Sequence, residues 1–324
     1  MAKHRSPRAL PWAVSFGPCG AGHLRHMSTP DLSICIINHK TPALTRQCLQ
    51  SIADTAGDLA IEVLVVNNTA DVCDVAGIRR PGGRPLEVAF IQNAAPLGFS
   101  ANQNQMLRRA TGRYLMPLNS DIVIHPGALQ DLVAFMDAHP RCGLAGPKLL
   151  HGDGSLQRSC RTFPTGMTCL LETSGLWRLV QNNRWIARRY ALADPHDRPR
   201  EVDWLSGACL IARAEVFGDL GGYDEALLPM YAEDLDWCWR IRREGWEVRF
   251  DPAAVMTHLE NATPMDDRAV IMQRATYDFV RARYPTSRWG EIRVGTALGL
   301  AFRWILSGRP EQRAALRRRI AMRV

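Results

Sequence analysis

Hydrophobic and polar positions in the first 120 residues alternate between short apolar runs and longer mixed segments. The apolar runs are rich in β-branched residues and cover 32–37, 62–66, 87–91 and 113–118. Runs of this length predict buried strands. The mixed segments predict helices over about 42–56 and 101–110 and from near Pro126, with Ser100 capping the second helix. This alternation predicts an α/β fold with a mainly parallel central sheet and helices on both of its faces.

The rest of the chain is less regular but contains further strand and helix patterns. Residues 202–211 predict one strand, in which Gly207 indicates that another group approaches the backbone closely. Two more strands are predicted at 246–250 and 254–258, and the pattern is helical after about residue 268.

Much of the basic excess lies at the two ends of the chain, whose formal net charge is +8. We therefore divide the chain into a basic leader (1–29) that we expect to be disordered, a main domain (30–285) and a basic amphipathic helical tail (286–324). The excess positive charge indicates an anionic partner, either phospholipid or nucleic acid. The sequence has no zinc-finger spacing, aromatic RNA-binding signature or basic heptad region, so we expect no nucleic-acid partner.

The sequence has no run of 18 or more apolar residues, so no membrane-spanning helix is predicted. The mixed apolar and arginine-rich segment 289–324 either lies on an anionic membrane surface or packs as a C-terminal helix with a solvated basic end. The basic and aromatic segment 176–190 is either a solvated helix face or a surface that meets sugar and phosphate. Nine scattered cysteines without a CxxC motif indicate reduced thiols. We expect a cytoplasmic protein, peripheral on the inner face of the cell membrane.

Polar residues follow three of the predicted strands, at 38–41, 67–68 and 119–121. Each alone could be an ordinary turn residue. Because ligands of open parallel sheets bind outside the carboxyl ends of the strands, their recurrence predicts a binding rim. A GxGxxG segment is absent after the first strand, so the sequence lacks a dinucleotide-binding fingerprint.

Three carboxylates lie within four residues at a predicted helix start. Asp234 leads an apolar stripe that continues through Trp237 and Ile241, and this stripe is expected to face inward. Glu233 and Asp236 are then predicted to lie on the other side of the helix. Acids at this end stabilise a helix through its dipole, whereas a carboxylate at the head of a buried stripe can also serve as a general base. Both interpretations remain open at this stage.

The order of these motifs resembles that of the family 2 glycosyltransferases with the GT-A fold, in particular their bacterial rhamnosyltransferase-like branch. The resemblance covers roughly residues 31–285. The matching stretches are 32–41, 63–69, 97–102, 114–121, 146–161, 163–165, 204–208, 221–236 and 252–258.

The resemblance implies a nucleotide-sugar donor and a divalent metal. The residues that it assigns to the nucleotide-sugar are Asn38, Thr41, Asn67, Gly98, Asn102, Asn119 and Ser120. The family's Asp-x-Asp motif corresponds to 119–121, where only the last acid is present, so Asp121 is the implied metal ligand together with His258. Such a ligand pair suits Mg²⁺ or Mn²⁺. The family usually has aspartate at position 67, against the nucleobase, whereas asparagine there carries no charge.

Asp234 matches the family's catalytic base, which takes the proton from the acceptor hydroxyl. Glu233 and Asp236 are implied to contact the acceptor or to hold Asp234 in place, and Asp203 and Trp204 to line the acceptor side. These matches imply an inverting, metal-dependent transferase of cell-envelope polysaccharide synthesis. It would move a sugar, with rhamnose from dTDP-rhamnose preferred over a UDP-sugar, to a glycan or polyprenyl-linked acceptor. The alternative is a non-catalytic nucleotide-sugar- or glycan-binding protein of the same fold. We also allow for a homodimer.

Overall fold

The four apolar runs near the start of the chain form four adjacent parallel strands. The computed structural model describes residues 29–180, 196–227, 231–259, 268–308 and 310–322. The four strands are β1 (Leu32–Asn38), β2 (Ile61–Asn67), β3 (Val88–Gln92) and β4 (Tyr114–Asn119). They lie in the order β3-β2-β1-β4, with Asn38 opposite Asn67 and Ile37 opposite Asn119. The polar residues that end these strands therefore share one edge of the sheet.

Further strands extend this sheet beyond β4 within the described residues. They are β5 (Ile122–Ile124), β6 (Cys142–His151), β7 (Leu156–Gln157), β9 (Arg200–Glu201), β11 (Ile211–Arg213) and β12 (Glu247–His258). β11 is antiparallel to both β4 and β6, whereas β12 is parallel to β6. The sheet has ten strands, and β3, β2, β1, β4, β6 and β12 all run in one direction. The predicted α/β class with a mainly parallel sheet is thus confirmed.

All three of the later strand predictions are wrong in detail. Residues 202–211 form two pieces: β10 (Trp204–Leu205), which pairs with β8 (Cys160–Arg161) in a separate two-stranded sheet, and the start of β11. The turn at 206–207 redirects the chain between them. The two strands predicted at 246–258 are the single strand β12, whose pairing with β6 is irregular between Asp251 and Val255. Pro252 lies in this irregularity and has no N–H to donate to the ladder.

Helices cover both faces of the sheet, as predicted. They are α1 (Pro42–Thr55), α2 (Phe99–Leu107), α3 (Ala128–Ala138), α4 (Gly166–Ser174), α5 (Trp177–Val180), α6 (Ala214–Leu220), α7 (Glu233–Arg243), α8 (Arg268–Arg283), α9 (Thr286–Leu306) and α10 (Pro310–Ile320). Ile34 and Ile36 pack with α1 and α3, whereas Cys35 packs with α2 and α7, because successive side chains of a strand point to opposite faces. The expected cap Ser100 is wrong, since α2 begins at Phe99 behind Gly98.

The C-terminal tail packs closely against the main domain through α9. A Cβ on Gly295 would lie 2.0 Å from the carbonyl oxygen of Gly166, and one on Gly299 would lie 2.1 Å from Thr173 Oγ1. Only glycine allows the backbones of α9 and α4 to approach this closely. One face of α9 is therefore a packed helix face, which was one of the two interpretations of the tail.

Some sequence-based expectations fall outside the described residues. These include nearly all of the leader, residues 1–28, and most of the basic and aromatic segment, residues 181–190. In the part of the chain that is described, no helix is both long and apolar enough to cross a membrane. The eight cysteines described there are all buried free thiols.

Candidate active site

A cavity of about 850 Å³ opens at the edge where β1 and β4 end. This volume lies in the usual range for small-molecule sites. Eight of the residues to which the sequence assigns a site role line it: Thr41, Asn119, Ser120, Asp121, Trp204, Glu233, Asp234 and His258. The structure thus brings the implied metal ligands, Asp121 and His258, and the implied base, Asp234, into one cavity, although they come from three separate parts of the chain.

Asp121 and His258 face each other because β12 returns beside β5, with His258 opposite Ile122. His258 Nε2 lies 3.2 Å from Asp121 Oδ1. The other ring nitrogen of His258 is 3.0 Å from Gln157 Oε1, which fixes the orientation of the ring. Asp121 is buried, and its second oxygen, Oδ2, has no hydrogen-bond partner among the described residues. A buried carboxylate oxygen without a protein partner is usually satisfied by a bound ion or by water.

A divalent cation fits this pair chemically. Carboxylate oxygen and imidazole nitrogen are donors that Mn²⁺ accepts, and Mg²⁺ takes one or two carboxylates together with phosphate oxygens and water. The described residues contain no group of three or more His, Cys, Asp and Glu side chains arranged for a metal. An ion held by Asp121 and His258 would therefore complete its coordination from the substrate and from water.

Thr41 and Ser120 form the polar rim beside Asp121. Their hydroxyl oxygens lie 3.1 Å apart, which links the loop after β1 to the end of β4. Asn119 is fixed by its backbone, since its N–H donates to the carbonyl of Ala208 at 2.9 Å. Hydroxyl groups at the carboxyl ends of parallel strands are well placed to contact a bound phosphate.

Asn38 and Asn67 do not line the cavity. Both are buried, and Asn38 Nδ2 donates to Asn67 Oδ1 at 2.6 Å. Asn67 Nδ2 in turn donates to the carbonyls of Thr69 and Asp71 and to Gln92 Oε1. The amide of Asn67 is thereby used within the protein, where it shapes the loop that follows β2.

Asn102 and Gly98 do not line the cavity either. Asn102 Nδ2 donates to the carbonyls of Leu97 and Gly98, each at 3.0 Å, and its Oδ1 accepts from Asn93 at 2.7 Å. These bonds hold the loop that enters α2. Their role in the described structure is to support the loop.

Asp234 projects into the cavity from the first turn of α7. Its Oδ2 accepts the N–H of Gly207 and its Oδ1 accepts the N–H of Leu235, both at 2.8 Å. A Cβ at position 207 would lie 3.2 Å from Asp234 Cβ. The close approach predicted for Gly207 is therefore to Asp234. Burial raises the pKa of Asp234, whereas the two backbone N–H bonds oppose that rise.

The inward stripe predicted for α7 is confirmed at Trp237 and Ile241, which are buried, but the expectation that only this stripe faces inward is wrong. Glu233 and Asp236 are 7% and 0% exposed, whereas Asp234 is only partly buried. Asp236 lies away from the cavity, where its two oxygens pair with Arg240 Nε at 2.8 Å and Arg283 Nε at 2.5 Å. Arg283, which belongs to α8, compensates the charge of Asp236. The polar side of α7 can therefore be buried as well. Asp236 thus fixes the helix that carries Asp234.

Glu233 remains in the cavity beside Asp234. Its Oε2 accepts the N–H of Ala232 at 3.0 Å. Burial, followed by the neighbouring charge of Asp234, raises the pKa of Glu233 to about 7. Glu233 is therefore a second carboxyl group with a raised pKa close to Asp234.

Trp204 lines the cavity, and its indole N–H donates to the carbonyl of Thr162 at 2.9 Å. Asp203 does not line it, because its Oδ2 accepts the N–H of Phe163 at 2.8 Å. The sequence assigns no site role to several other charged and aromatic residues that line the cavity, which are Arg158, Arg161, Glu172, Tyr231 and Arg268. Trp177 also lines the cavity, and it belongs to the segment 176–190, for which contact with sugar and phosphate was one of the two interpretations. The only sequence pattern that could have indicated these residues is the basic and aromatic composition of the segments in which they lie.

Comparison with known proteins identifies the family to which this chain belongs. The family described as "Glycosyltransferase like family 2" matches residues 30–276. One relative is the N-acetylglucosaminyl-diphospho-decaprenol L-rhamnosyltransferase of Mycobacterium tuberculosis (strain CDC 1551 / Oshkosh), 32% identical over 219 residues. That match covers 64% of this chain and 68% of the relative.

Two solved structures share the fold. The mannosyltransferase PcManGT of Pyrobaculum calidifontis, in complex with GDP-Man and Mn²⁺, has a TM-score of 0.53 at 16% identity, over 92% of this chain and 77% of that chain. GalNAc-T7, with UDP, GalNAc and Mn²⁺, has a TM-score of 0.54 at 14% identity, over 78% of this chain and 48% of that chain. This chain therefore spans about half the length of GalNAc-T7. At these identities the likeness concerns the fold, which is of the GT-A type.

Proposed function

This chain belongs to the family 2 glycosyltransferases, and we propose that it transfers rhamnose from dTDP-rhamnose, with inversion, to a lipid-linked sugar of the cell envelope. The observation that carries this proposal is the shared cavity, which holds Asp121 and His258 together with Asp234. A protein that only binds a nucleotide-sugar needs no general base. The combination of a candidate base with candidate metal ligands therefore favours catalysis.

In this proposal, the residues at the end of β4 and in the loop after β1 bind the diphosphate of the nucleotide-sugar donor. Thr41 and Ser120 offer hydroxyl groups to the diphosphate, and Asp121 and His258 would hold a divalent cation. Such a cation would stabilise the negative charge that develops on the leaving nucleoside diphosphate. The buried and unpartnered Oδ2 of Asp121 supports this assignment.

The acceptor side of the reaction falls to Asp234. Its carboxylate takes the proton from the acceptor hydroxyl while that oxygen attacks the anomeric carbon. The new bond forms on the face opposite the leaving diphosphate, which inverts the configuration. The bonds from Gly207 and Leu235 hold the carboxylate in place, and fixed geometry of this kind lowers the barrier to proton transfer.

We infer the chemical class of the acceptor from the name of the mycobacterial relative. Its name gives the acceptor as N-acetylglucosaminyl-diphospho-decaprenol and the transferred sugar as L-rhamnose. We infer an acceptor of the same chemical class for this chain, a sugar joined through a diphosphate to a polyprenol. Such an acceptor is anchored in a membrane, so the enzyme must act at the membrane surface.

A panel of donors tests the proposed reaction. We expect release of nucleoside diphosphate when dTDP-rhamnose is mixed with a short-chain prenyl N-acetylglucosaminyl diphosphate, and a smaller rate with UDP-sugars. The anomeric configuration of the product, read by NMR, should be inverted. Retention of configuration would contradict the proposal. Tight donor binding without release for any donor or acceptor would support a non-catalytic binding protein instead.

The exposed face of α9 supports contact with a membrane. Four apolar side chains, 38–65% exposed, recur on one side of the helix: Val294, Leu298, Phe302 and Ile305. Beside them α10 carries the exposed Arg313 and Arg317, which stack on Trp304 at 5.3 and 5.1 Å. An apolar stripe flanked by arginines matches an anionic lipid surface.

Replacing Leu298 by glutamate is expected to weaken binding to phosphatidylglycerol-containing vesicles by about tenfold or more, because it puts a charge into the apolar stripe. Vesicle sedimentation measures the bound fraction. Val72→Glu is the matched control, since Val72 is 85% exposed in the loop after β2. Equal binding of the two variants would contradict a role for α9.

A further inference from the structure

Two arginines form a positively charged wall of the cavity. Arg158 follows β7 and Arg161 lies in β8, and both line the cavity. The guanidinium of Arg158 lies 4.9 Å from the ring centroid of Trp177, and that of Arg161 lies 5.9 Å from the ring centroid of Trp204. Stacking on an aromatic ring fixes the plane of a guanidinium group, and the planar group can bind phosphate oxygens along its edge.

The charge of Arg161 is only partly compensated inside the protein. Its Nη1 lies 3.7 Å from Glu172 Oε1, which is beyond hydrogen-bond distance. Its Nε is buried and has no hydrogen-bond partner among the described residues. A buried N–H of a charged group without an acceptor is unfavourable unless a ligand supplies one. The side chain as a whole is 41% exposed, so a ligand can reach it from the cavity.

The strand pairing places Arg161 on the side of the cavity that holds Asp234. Arg161 lies directly opposite Trp204 in the β8–β10 pair. Immediately after β10, the N–H of Gly207 bonds to Asp234. Burial raises the pKa of Asp234, and the positive charge of Arg161 is among the groups that oppose this rise.

We propose that Arg158 and Arg161 bind the diphosphate of a prenyl-diphosphate-linked acceptor while the acceptor sugar presents its hydroxyl to Asp234. This inference rests on the proposed transferase function. The planar guanidinium fork matches phosphate oxygens in geometry and charge. The same chemistry exists in the donor, whose diphosphate is assigned to the rim at Asp121 and His258. The test must therefore separate the two diphosphates.

Steady-state kinetics of Arg161→Gln separates them. We expect the KM for a short-chain prenyl N-acetylglucosaminyl diphosphate to rise about 10- to 100-fold, because a charge-assisted hydrogen bond is lost. The KM for the nucleotide-sugar should stay within about twofold. An alkyl N-acetylglucosaminide, which lacks the diphosphate, should be used equally well by both proteins. An equal loss with the two acceptors, or a matching rise in the donor KM, would overturn the proposal.

Direct binding gives a second readout that needs no turnover. Geranyl diphosphate is titrated by calorimetry in EDTA, so that no metal at Asp121 recruits it. Arg158→Gln and Arg161→Gln are each expected to raise its Kd about tenfold or more, and Arg161→Lys to raise it less. Arg141→Gln is the matched control, because Arg141 is 85% exposed and pairs with Glu247 on the surface. An unchanged Kd in both glutamine variants would overturn the site even if the enzyme is a transferase. If the glutamine variants weaken the binding of geranyl diphosphate but the wild-type protein transfers no sugar, the result would contradict the proposed function and leave the proposed binding site intact.

Discussion

Asp234→Asn is expected to reduce sugar transfer by about 10²- to 10⁴-fold, the usual contribution of a general base. Asparagine keeps the size of the side chain and one acceptor for the N–H groups of Gly207 and Leu235. It cannot take a proton from the acceptor hydroxyl. Donor binding, measured by calorimetry with dTDP-rhamnose, should change by less than about twofold. Asp74→Asn, a change at a 66% exposed surface aspartate, is the matched control.

The pH dependence of the wild-type rate tests the same assignment. The base acts only when deprotonated, so the rate should fall as the pH decreases. Because burial raises the pKa of Asp234, the midpoint of this fall should lie above the ordinary value of 3.8. The neighbouring Glu233, with a pKa of about 7, is the rival base. Full activity in Asp234→Asn together with loss in Glu233→Gln would transfer the role to Glu233.

The edge of the sheet that carries the site could be predicted from the sequence. Parallel strands all end at the same edge, so polar residues after 37, 66 and 118 had to gather there. Which of them face the ligand could not be predicted. Asn38 and Asn67 turn toward each other, and Asn67 also bonds to Gln92, whereas Thr41 and Ser120 line the cavity. The orientation of each side chain depends on hydrogen-bond partners that are distant in sequence. The local sequence pattern contains no information about those partners.

The orientation of α7 shows the same limit. A single inward stripe led by Asp234 follows from helical periodicity when one face of a helix is buried. In the structure Arg283, which lies 47 residues beyond Asp236, approaches from α8 and allows a second face to be buried. The hydrophobic periodicity of α7 cannot predict a contact with an arginine on another helix. By contrast, Gly207 signalled a close approach that the structure places at Asp234, 27 residues further on.

Asp121→Asn is expected to abolish Mn²⁺ binding in the presence of dTDP and to lower the rate of transfer by about 10²-fold or more. The substitution removes the negative charge that faces the cavity and leaves an amide, which is a poorer ligand for a hard cation. A metal ion stabilises the leaving diphosphate by several kcal/mol, and each 1.36 kcal/mol corresponds to about tenfold in rate. EPR titration of free Mn²⁺ measures binding without any turnover.

Removing the metal from the wild-type protein with a chelator is a second test of the metal assignment. EDTA should stop transfer by the wild-type protein, and Mg²⁺ or Mn²⁺ should restore it, whereas neither ion should rescue Asp121→Asn. The surface variant Asp74→Asn should retain both Mn²⁺ binding and chelator sensitivity, since Asp74 pairs with Arg46 outside the cavity. Transfer that resists EDTA would remove the metal from the reaction. Mn²⁺ binding by Asp121→Asn as tight as in the wild type would place the ion elsewhere, because Asp121 Oδ2 would then have no part in holding it.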